Sequence, residues 1–184
     1  MAKKNNVIVN NEEFEPYITA PALKKRIKEL GAKLSKDFKG KTPIFIGVLN
    51  GSFIFFADLI REVSIECEVD FLKLSSYGDA KVSSGNVHLL KDLNCQVMGR
   101  DIIVVEDIID SGLSIDFIQR LLKAQKPKSV SIVSLLYKPK AVKIDLTVKY
   151  IGFKIPNDFV VGYGLDYAQK GRNIPAVYKI VEKN

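Results

Sequence analysis

The chain has 184 residues, with 28 Lys+Arg against 21 Asp+Glu for a net charge of +7, and 47% of its residues are hydrophobic. That is enough chain for one domain with a real core, and the composition excludes a disordered or fibrous protein. A single histidine, His88, excludes sites that need two or more His ligands, and two cysteines, Cys67 and Cys95, make no disulfide framework. With no signal peptide apparent, a reducing cytoplasmic location is expected. The most apolar stretch free of Lys and Arg, residues 42–60, is interrupted by Asn50, Ser52 and Asp58 and is too short and polar to cross a bilayer. The positive charge suits an anionic partner: nucleic acid, nucleotide or phosphate. Nine basic and five acidic side chains fall in residues 1–40, so +4 of the +7 reads as the solvated face of an outer helix.

Residues 1–16 read as an irregular lead-in with a short apolar piece, Val7-Ile8-Val9. Leu23, Ile27, Leu30 and Leu34 recur at helical spacing between Thr19 and Gly40 and predict an amphipathic helix. The apolar run 43–49 predicts a buried strand, followed by Asn50-Gly51-Ser52 and a helix to about Glu62. Phe53, Phe55 and Phe56 on that helix are expected in the core and at a subunit contact. Residues 69–75 alternate as a strand does. Residues 77–92 are mostly small or polar and read as a long loop with room for a fraying hairpin; loops of this length serve as lids or are disordered. Residues 101–105 are a second buried strand, 107–114 a turn, 115–125 a helix and 129–137 a third apolar strand. The tail from Val148 to Val181 shows short strands and turns. Apolar strands alternating with helices imply an α/β domain with a parallel sheet covered on both faces.

Ligands bind outside the carboxyl ends of strands in such a sheet. One end is unusual: Ile102-Ile103-Val104-Val105-Glu106-Asp107-Ile108-Ile109-Asp110-Ser111-Gly112-Leu113-Ser114, leading straight into a helix. Gly112 permits close backbone approach, Ser111 and Ser114 supply hydroxyls, and the helix start supplies free N–H donors, which together cradle a phosphate dianion. Glu106, Asp107 and Asp110 would repel phosphate. They must face sugar hydroxyls, a hard cation, or a proton to be abstracted.

As a whole this segment resembles the phosphoribosyl pyrophosphate signature of the type I phosphoribosyltransferases, and other segments narrow the resemblance to the hypoxanthine-guanine phosphoribosyltransferases. Val48-Leu49-Asn50-Gly51-Ser52 and the helix after it resemble the family's pyrophosphate loop. Leu74-Ser75-Ser76-Tyr77 resembles the opening of its lid. Ser134-Leu135-Leu136-Tyr137-Lys138 resembles the strand ending at its purine-reading lysine. Ile151 to Pro156 and Phe159 to Tyr167 resemble the rest of the purine end. The resemblance implies a single phosphoribosyltransferase domain over 1–184, its core at about 40–150 and a small hood from about 1–16 and 151–184. It implies transfer of a 5-phosphoribosyl group from phosphoribosyl pyrophosphate to N9 of a 6-oxopurine, with Mg²⁺ and with homo-oligomers, dimers or tetramers, and with no membrane or nucleic-acid partner.

Carried to this sequence, Asp110 is the general base and partner of purine N7. Ser111, Gly112, Leu113 and Ser114 hold the 5′-phosphate, and Glu106 and Asp107 hold the ribose hydroxyls directly or through metal. Lys138 donates to the 6-oxo group, Phe159 stacks on the base and the Val160 backbone reads its edge. Asn50, Gly51 and Arg172 hold pyrophosphate, Asp166 contacts a Mg²⁺ shell, and Ser76 and Tyr77 open the lid. Such a site suits an oxocarbenium-like transition state that must be kept from water. Two positions depart from many relatives. Asn50 stands where a Lys is common, in a loop that works through backbone N–H groups and often a non-proline cis peptide; Leu113 stands where some relatives carry Lys. A xanthine-preferring transferase and a nucleic-acid-binding regulator of the same fold are the alternatives. Asp110, Lys138 and Phe159 standing together favour the enzyme. A receiver-type phosphoacceptor domain has no use for Ser-Gly-x-Ser. His88 is expected to be a solvated loop residue, and Cys67 and Cys95 to pack as small apolar groups.

Overall fold

The computed structural model describes residues 5–76 and 87–182. Ten strands and three helices follow in the order β1 (Val7–Val9), β2 (Glu12–Ile18), α1 (Ala20–Asp37), β3 (Ile44–Leu49), α2 (Phe53–Arg61), β4 (Glu68–Ser76), β5 (Val87–Lys91), β6 (Asp101–Ile109), α3 (Leu113–Ala124), β7 (Ser129–Tyr137), β8 (Tyr150–Lys154), β9 (Val160–Val161) and β10 (Val177–Ile180). Six of the strands form one sheet in the order β5-β4-β3-β6-β7-β8, parallel except for the β4/β5 pair. Its central strands are continuous apolar runs because helices cover both faces. Leu23, Ile27, Leu30 and Leu34 of α1 and Phe55, Phe56 and Leu59 of α2 pack against Phe45, Ile103, Val105, Val133 and Leu135 on one face. Ile115, Ile118 and Leu122 of α3 pack against Ile44, Ile46, Ile102, Val104 and Ile132 on the other. Thr19 starts α1 by accepting from the Ala22 N–H at 3.4 Å, and Pro21 lies in the first turn, where its missing donor costs nothing.

The chain runs outward through α2 from β3 to β4 and in the opposite sense through α3 from β6 to β7. The neighbours β3 and β6 therefore flank a topological switch point, with a crevice beyond their carboxyl ends. A second, antiparallel sheet, β1-β2-β10-β9, stands over that end around Val9, Phe14 and Val161.

Several elements differ from the sequence-based expectations. The lead-in is a hairpin, β1–β2, continued into the second sheet. Three glutamates and Pro16 disguise β2, yet Phe14 and Ile18 are buried, and Pro16 lies where the β2/β10 register shifts and a ladder N–H is dispensable. β6 runs on to Ile109, so the turn shrinks to Asp110–Gly112. β8, expected in the hood, is the edge strand of the main sheet, parallel to β7. Of the predicted loop at 77–92, Val87–Lys91 is the strand β5, with His88 exposed; residues 77–86, including Tyr77, lie outside the described residues, and Ser76 is the last residue of β4. Phe55 and Phe56 are core residues as expected, whereas Phe53 is 44% exposed. No described helix is long and apolar enough to cross a membrane.

Candidate active site

A cavity of about 200 Å³ opens at the switch point, lined by Asp107, Ile108, Asp110, Lys138, Phe159, Val160, Leu165 and Asp166. Parallel pairing of β6 with β7 sets Ile109 opposite Tyr137, which brings the next residues, Asp110 and Lys138, to one strand end. Lys138 Nζ donates to Asp110 Oδ2 at 2.8 Å. The lysine side chain is only 7% exposed and the aspartate 53%, so a buried donor-only cation leans on a carboxylate that faces the opening. A partner that separates the two must satisfy both the donor and the acceptor.

Phe159 precedes β9 and stands at the mouth, 38% exposed. Tyr167 meets it edge-on, with centroids 5.2 Å apart and planes at 81°, and Phe14 of β2 lies 6.1 Å away. These contacts fix the ring while leaving part of its surface for a flat ligand.

Below the cavity the chain turns through Asp110-Ser111-Gly112 into α3. Gly112 is in the left-handed region (φ 85°), where a Cβ would also come within 3.0 Å of Ile144. As the N-cap it has no side chain to satisfy the first-turn amides. Ser111 Oγ accepts a long 3.4 Å bond from the Leu113 N–H, and Ser114 sits in the same turn. The result is a helix start with donors facing outward, the geometry that binds phosphate.

The two adjacent carboxylates of β6 are separated by the strand's alternation: Asp107 lines the cavity and Glu106 does not. Burial, reinforced by the charge of Asp107, pushes the Glu106 carboxyl well above its ordinary range, and its Oε2 has no hydrogen-bond partner in the protein. Burial also lifts Asp107, to about 6; its own and the Ile108 backbone N–H groups and nearby Arg172 oppose the rise, while Asp166 adds to it.

Asn50 and Gly51 reach this cluster from β3. The Leu49–Asn50 peptide is cis, and Gly51 lies so close to Asp107 that a Cβ would fall 1.8 Å from its Oδ2. On the other side Arg172 pairs with Asp166 at 2.7 Å and donates to the Gly164 carbonyl at 2.8 Å, and Asp166 accepts from the Gln169 N–H at 2.8 Å. Arg172 is thus held in place by the protein. Sequence reasoning did not single out Ile108, which lines the cavity from β6, or Leu165 and Tyr167, whose places depend on chain reversal between 162 and 174. Nor did it find the packing of Gly164 against Gly51.

The phosphoribosyl transferase domain family matches residues 16–168. The hypoxanthine-guanine phosphoribosyltransferase of Bacillus subtilis (strain 168) is 47% identical over 160 residues, 87% of this chain and 89% of that protein. The chain belongs to the hypoxanthine-guanine branch of the phosphoribosyltransferase family. A crystal structure of such a phosphoribosyltransferase from Bacillus anthracis, with a HEPES molecule in its active site, superimposes with a TM-score of 0.86 at 44% identity, covering 91% of this chain and 98% of that one. The Bifunctional protein TilS/HprT of Listeria monocytogenes (strain F2365) is 44% identical over 172 residues, 94% of this chain; the chain spans about a quarter, 26%, of that longer protein. The crevice, the turn into α3 and the Lys138–Asp110 pair lie together at one sheet end within the matched residues.

Proposed function

We propose that this chain transfers the 5-phosphoribosyl group of phosphoribosyl pyrophosphate to N9 of hypoxanthine or guanine, giving IMP or GMP and pyrophosphate, a purine-salvage reaction. The observation that carries the reading is the buried Lys138 ammonium paired with the more exposed Asp110 carboxylate, with Phe159 at the mouth of the same cavity. A 6-oxopurine replaces both halves of that pair: its O6 accepts from Lys138 and its N7–H donates to Asp110. Phe159 supplies a stacking surface, and the Val160 backbone faces the base edge.

The 5′-phosphate is assigned to the turn of Ser111, Gly112, Leu113 and Ser114. Asp107 takes the ribose hydroxyls; Glu106, expected to share them, lies off the cavity with its Oε2 buried and unpaired. In the transfer, the N9 lone pair forms the bond to C1′ as the bond from C1′ to pyrophosphate oxygen breaks with its electron pair, and the N7 proton passes to Asp110. Asn50 and Gly51 bring backbone groups, and Arg172 a guanidinium, to the departing pyrophosphate.

No three His, Cys, Asp or Glu side chains among the described residues are arranged to hold a metal by themselves. The carboxylates of Asp107 and Asp166 still suit Mg²⁺, which takes one or two protein oxygens and completes its shell from phosphates and water. Mg²⁺, when bound with pyrophosphate, neutralises leaving-group charge. The partners of this reading are phosphoribosyl pyrophosphate and a purine base; a homo-oligomer, dimer or tetramer, is part of it, with Phe53 and Val69 as exposed apolar groups, as is a cytoplasmic location. Incubating the protein with Mg²⁺, phosphoribosyl pyrophosphate and each of hypoxanthine, guanine, xanthine and adenine, and measuring nucleotide formed, tests it. Rapid IMP and GMP formation is expected. No turnover with either base refutes the reading, and faster turnover of xanthine moves it to the xanthine-preferring alternative.

A further inference from the structure

The pyrophosphate end of the crevice is built from two pieces of chain far apart in sequence, and one side-chain contact joins them. Gly162, Tyr163 and Gly164 all have left-handed backbone (φ 94°, 52° and 99°), and the reversal they make is closed by mutual hydrogen bonds between Gly162 and Leu165 at 3.1 Å. Tyr163, a non-glycine residue in that region, is 7% exposed, and its hydroxyl donates to Asp58 Oδ2 on α2. Left-handed backbone at such a residue persists where the surroundings hold it. Beside it, Gly164 rests on the Gly51 carbonyl so closely that a Cβ would stand 2.2 Å from the oxygen. The Gly164 carbonyl in turn accepts from Arg172, which pairs with Asp166.

We infer that the Tyr163–Asp58 hydrogen bond is a positioning contact for pyrophosphate, clamping the reversal that carries Arg172 and Asp166 onto α2 and so against the Gly51 loop that precedes it. The inference rests on the phosphoribosyl pyrophosphate reading of the same crevice. Lys138 and Asp110 follow the ends of β7 and β6 and make no hydrogen bond to this clamp, so its loss acts chiefly on the pyrophosphate end of the crevice. Removing the hydroxyl strands no charge: Asp58 is 32% exposed and keeps its ion pair with Arg61, and the ring that fills the core remains. The effect is therefore one of placement rather than of folding.

Tyr163→Phe is expected to raise the KM for phosphoribosyl pyrophosphate and the inhibition constant of Mg²⁺-pyrophosphate by about 10-fold, the lower end for loss of an outer partner that orients a binding group. The KM for hypoxanthine should stay within about 2-fold. Asp58→Ala should match Tyr163→Phe, and the double variant should be no worse than either, since both remove the same bond. Asp58→Asn keeps an acceptor oxygen and should recover most of the loss. Unchanged constants for phosphoribosyl pyrophosphate and pyrophosphate in a folded Tyr163→Phe protein overturn the inference, as does an equal rise for both substrates. Should Tyr163→Phe fail to fold, Asp58→Ala at the partly exposed partner decides by the same criteria. If the wild-type protein makes no nucleotide, the reading of the reaction fails, and calorimetric titration with Mg²⁺-pyrophosphate then judges the clamp alone; equal affinities for wild type and Tyr163→Phe overturn it.

Discussion

Asp107→Asn should stabilise the unliganded protein at neutral pH while removing a substrate contact. The Asp107 carboxyl is buried beneath Gly51 and lifted from 3.8 to about 6. A carboxyl whose folded value is raised binds its proton more tightly when folded. Below about pH 4 it is protonated in both states and costs nothing. As pH rises through 4 to 6 the unfolded chain ionises first, and stability falls; above 6 the whole cost is present. At 1.36 kcal/mol per pH unit, the lift amounts to about 3 kcal/mol, a sizeable share of the 5–15 kcal/mol that holds a typical domain together. Asparagine has the same shape, has no proton to lose, and keeps an oxygen for the Ile108 N–H. It also removes the charge that pushes Glu106 upward, a relief of the same sign. Guanidinium unfolding of both proteins at pH 4.5 and pH 8 reads the effect, because titrating groups that do not interact with Asp107 cancel in the difference. Asp107→Asn is expected to gain up to about 3 kcal/mol at pH 8 and much less at pH 4.5. A variant destabilised equally at both pH values would show that burial of this charge is not what strains the site. A gain of this sign at a residue proposed to bind substrate is the usual trade between stability and function.

Asp110→Asn keeps the shape of the Lys138 partner but cannot take a proton, so kcat in the IMP-forming assay should fall by about 10²- to 10⁴-fold; a near-normal kcat excludes Asp110 as the base. Gly51→Ala places a methyl where Asp107 Oδ2 already is, 1.8 Å from the new Cβ. Either loop or carboxylate must move, so the KM for phosphoribosyl pyrophosphate should rise at least 10-fold, on the general sensitivity of such sites to displacements near 1 Å; an unchanged KM contradicts the close approach. Phe159→Ala removes stacking, which does not read the base edge, and should raise the KM of hypoxanthine and guanine by similar factors; selective loss of one base would assign Phe159 a different role.

The parts of this molecule that were legible in its sequence are those fixed by local pattern. β3, β6 and β7 are apolar runs because they lie between two helical layers, and α1 shows its core stripe and its Thr19 cap. The turn into α3 was legible because Ser111, Gly112 and Ser114 stand side by side after an apolar strand. β2 was not, since Pro16 and three glutamates obscure a strand that its neighbours β1 and β10 define. β8 was missed as a core strand because Gly152 breaks its pattern, yet that glycine is where the backbone presses on β7, with a Cβ only 2.3 Å from the Leu135 carbonyl. In the site, each carboxylate was legible but its state was not. Asp107 and Glu106 are neighbours in sequence, and their burial comes from Gly51 and from strand alternation. The Lys138–Asp110 pair spans 28 residues and the Tyr163–Asp58 bond 105, so both follow from the strand register and the reversal at 162–165 rather than from any motif.

The central claim is that Lys138, held by Asp110, selects a 6-oxopurine. A donor-only ammonium satisfies O6 but meets the 6-amino group of adenine donor against donor, and sites that read an edge in this way can reject the wrong analogue by roughly 10⁴-fold. The direct measurement is the ratio of kcat/KM for hypoxanthine to that for adenine, in wild type and in Lys138→Gln, whose amide can accept as well as donate. A ratio near 10⁴ is expected in the wild type and a much smaller one in the variant, chiefly through loss of hypoxanthine activity. Comparable use of adenine by the wild type, or an unchanged ratio in Lys138→Gln, would contradict it.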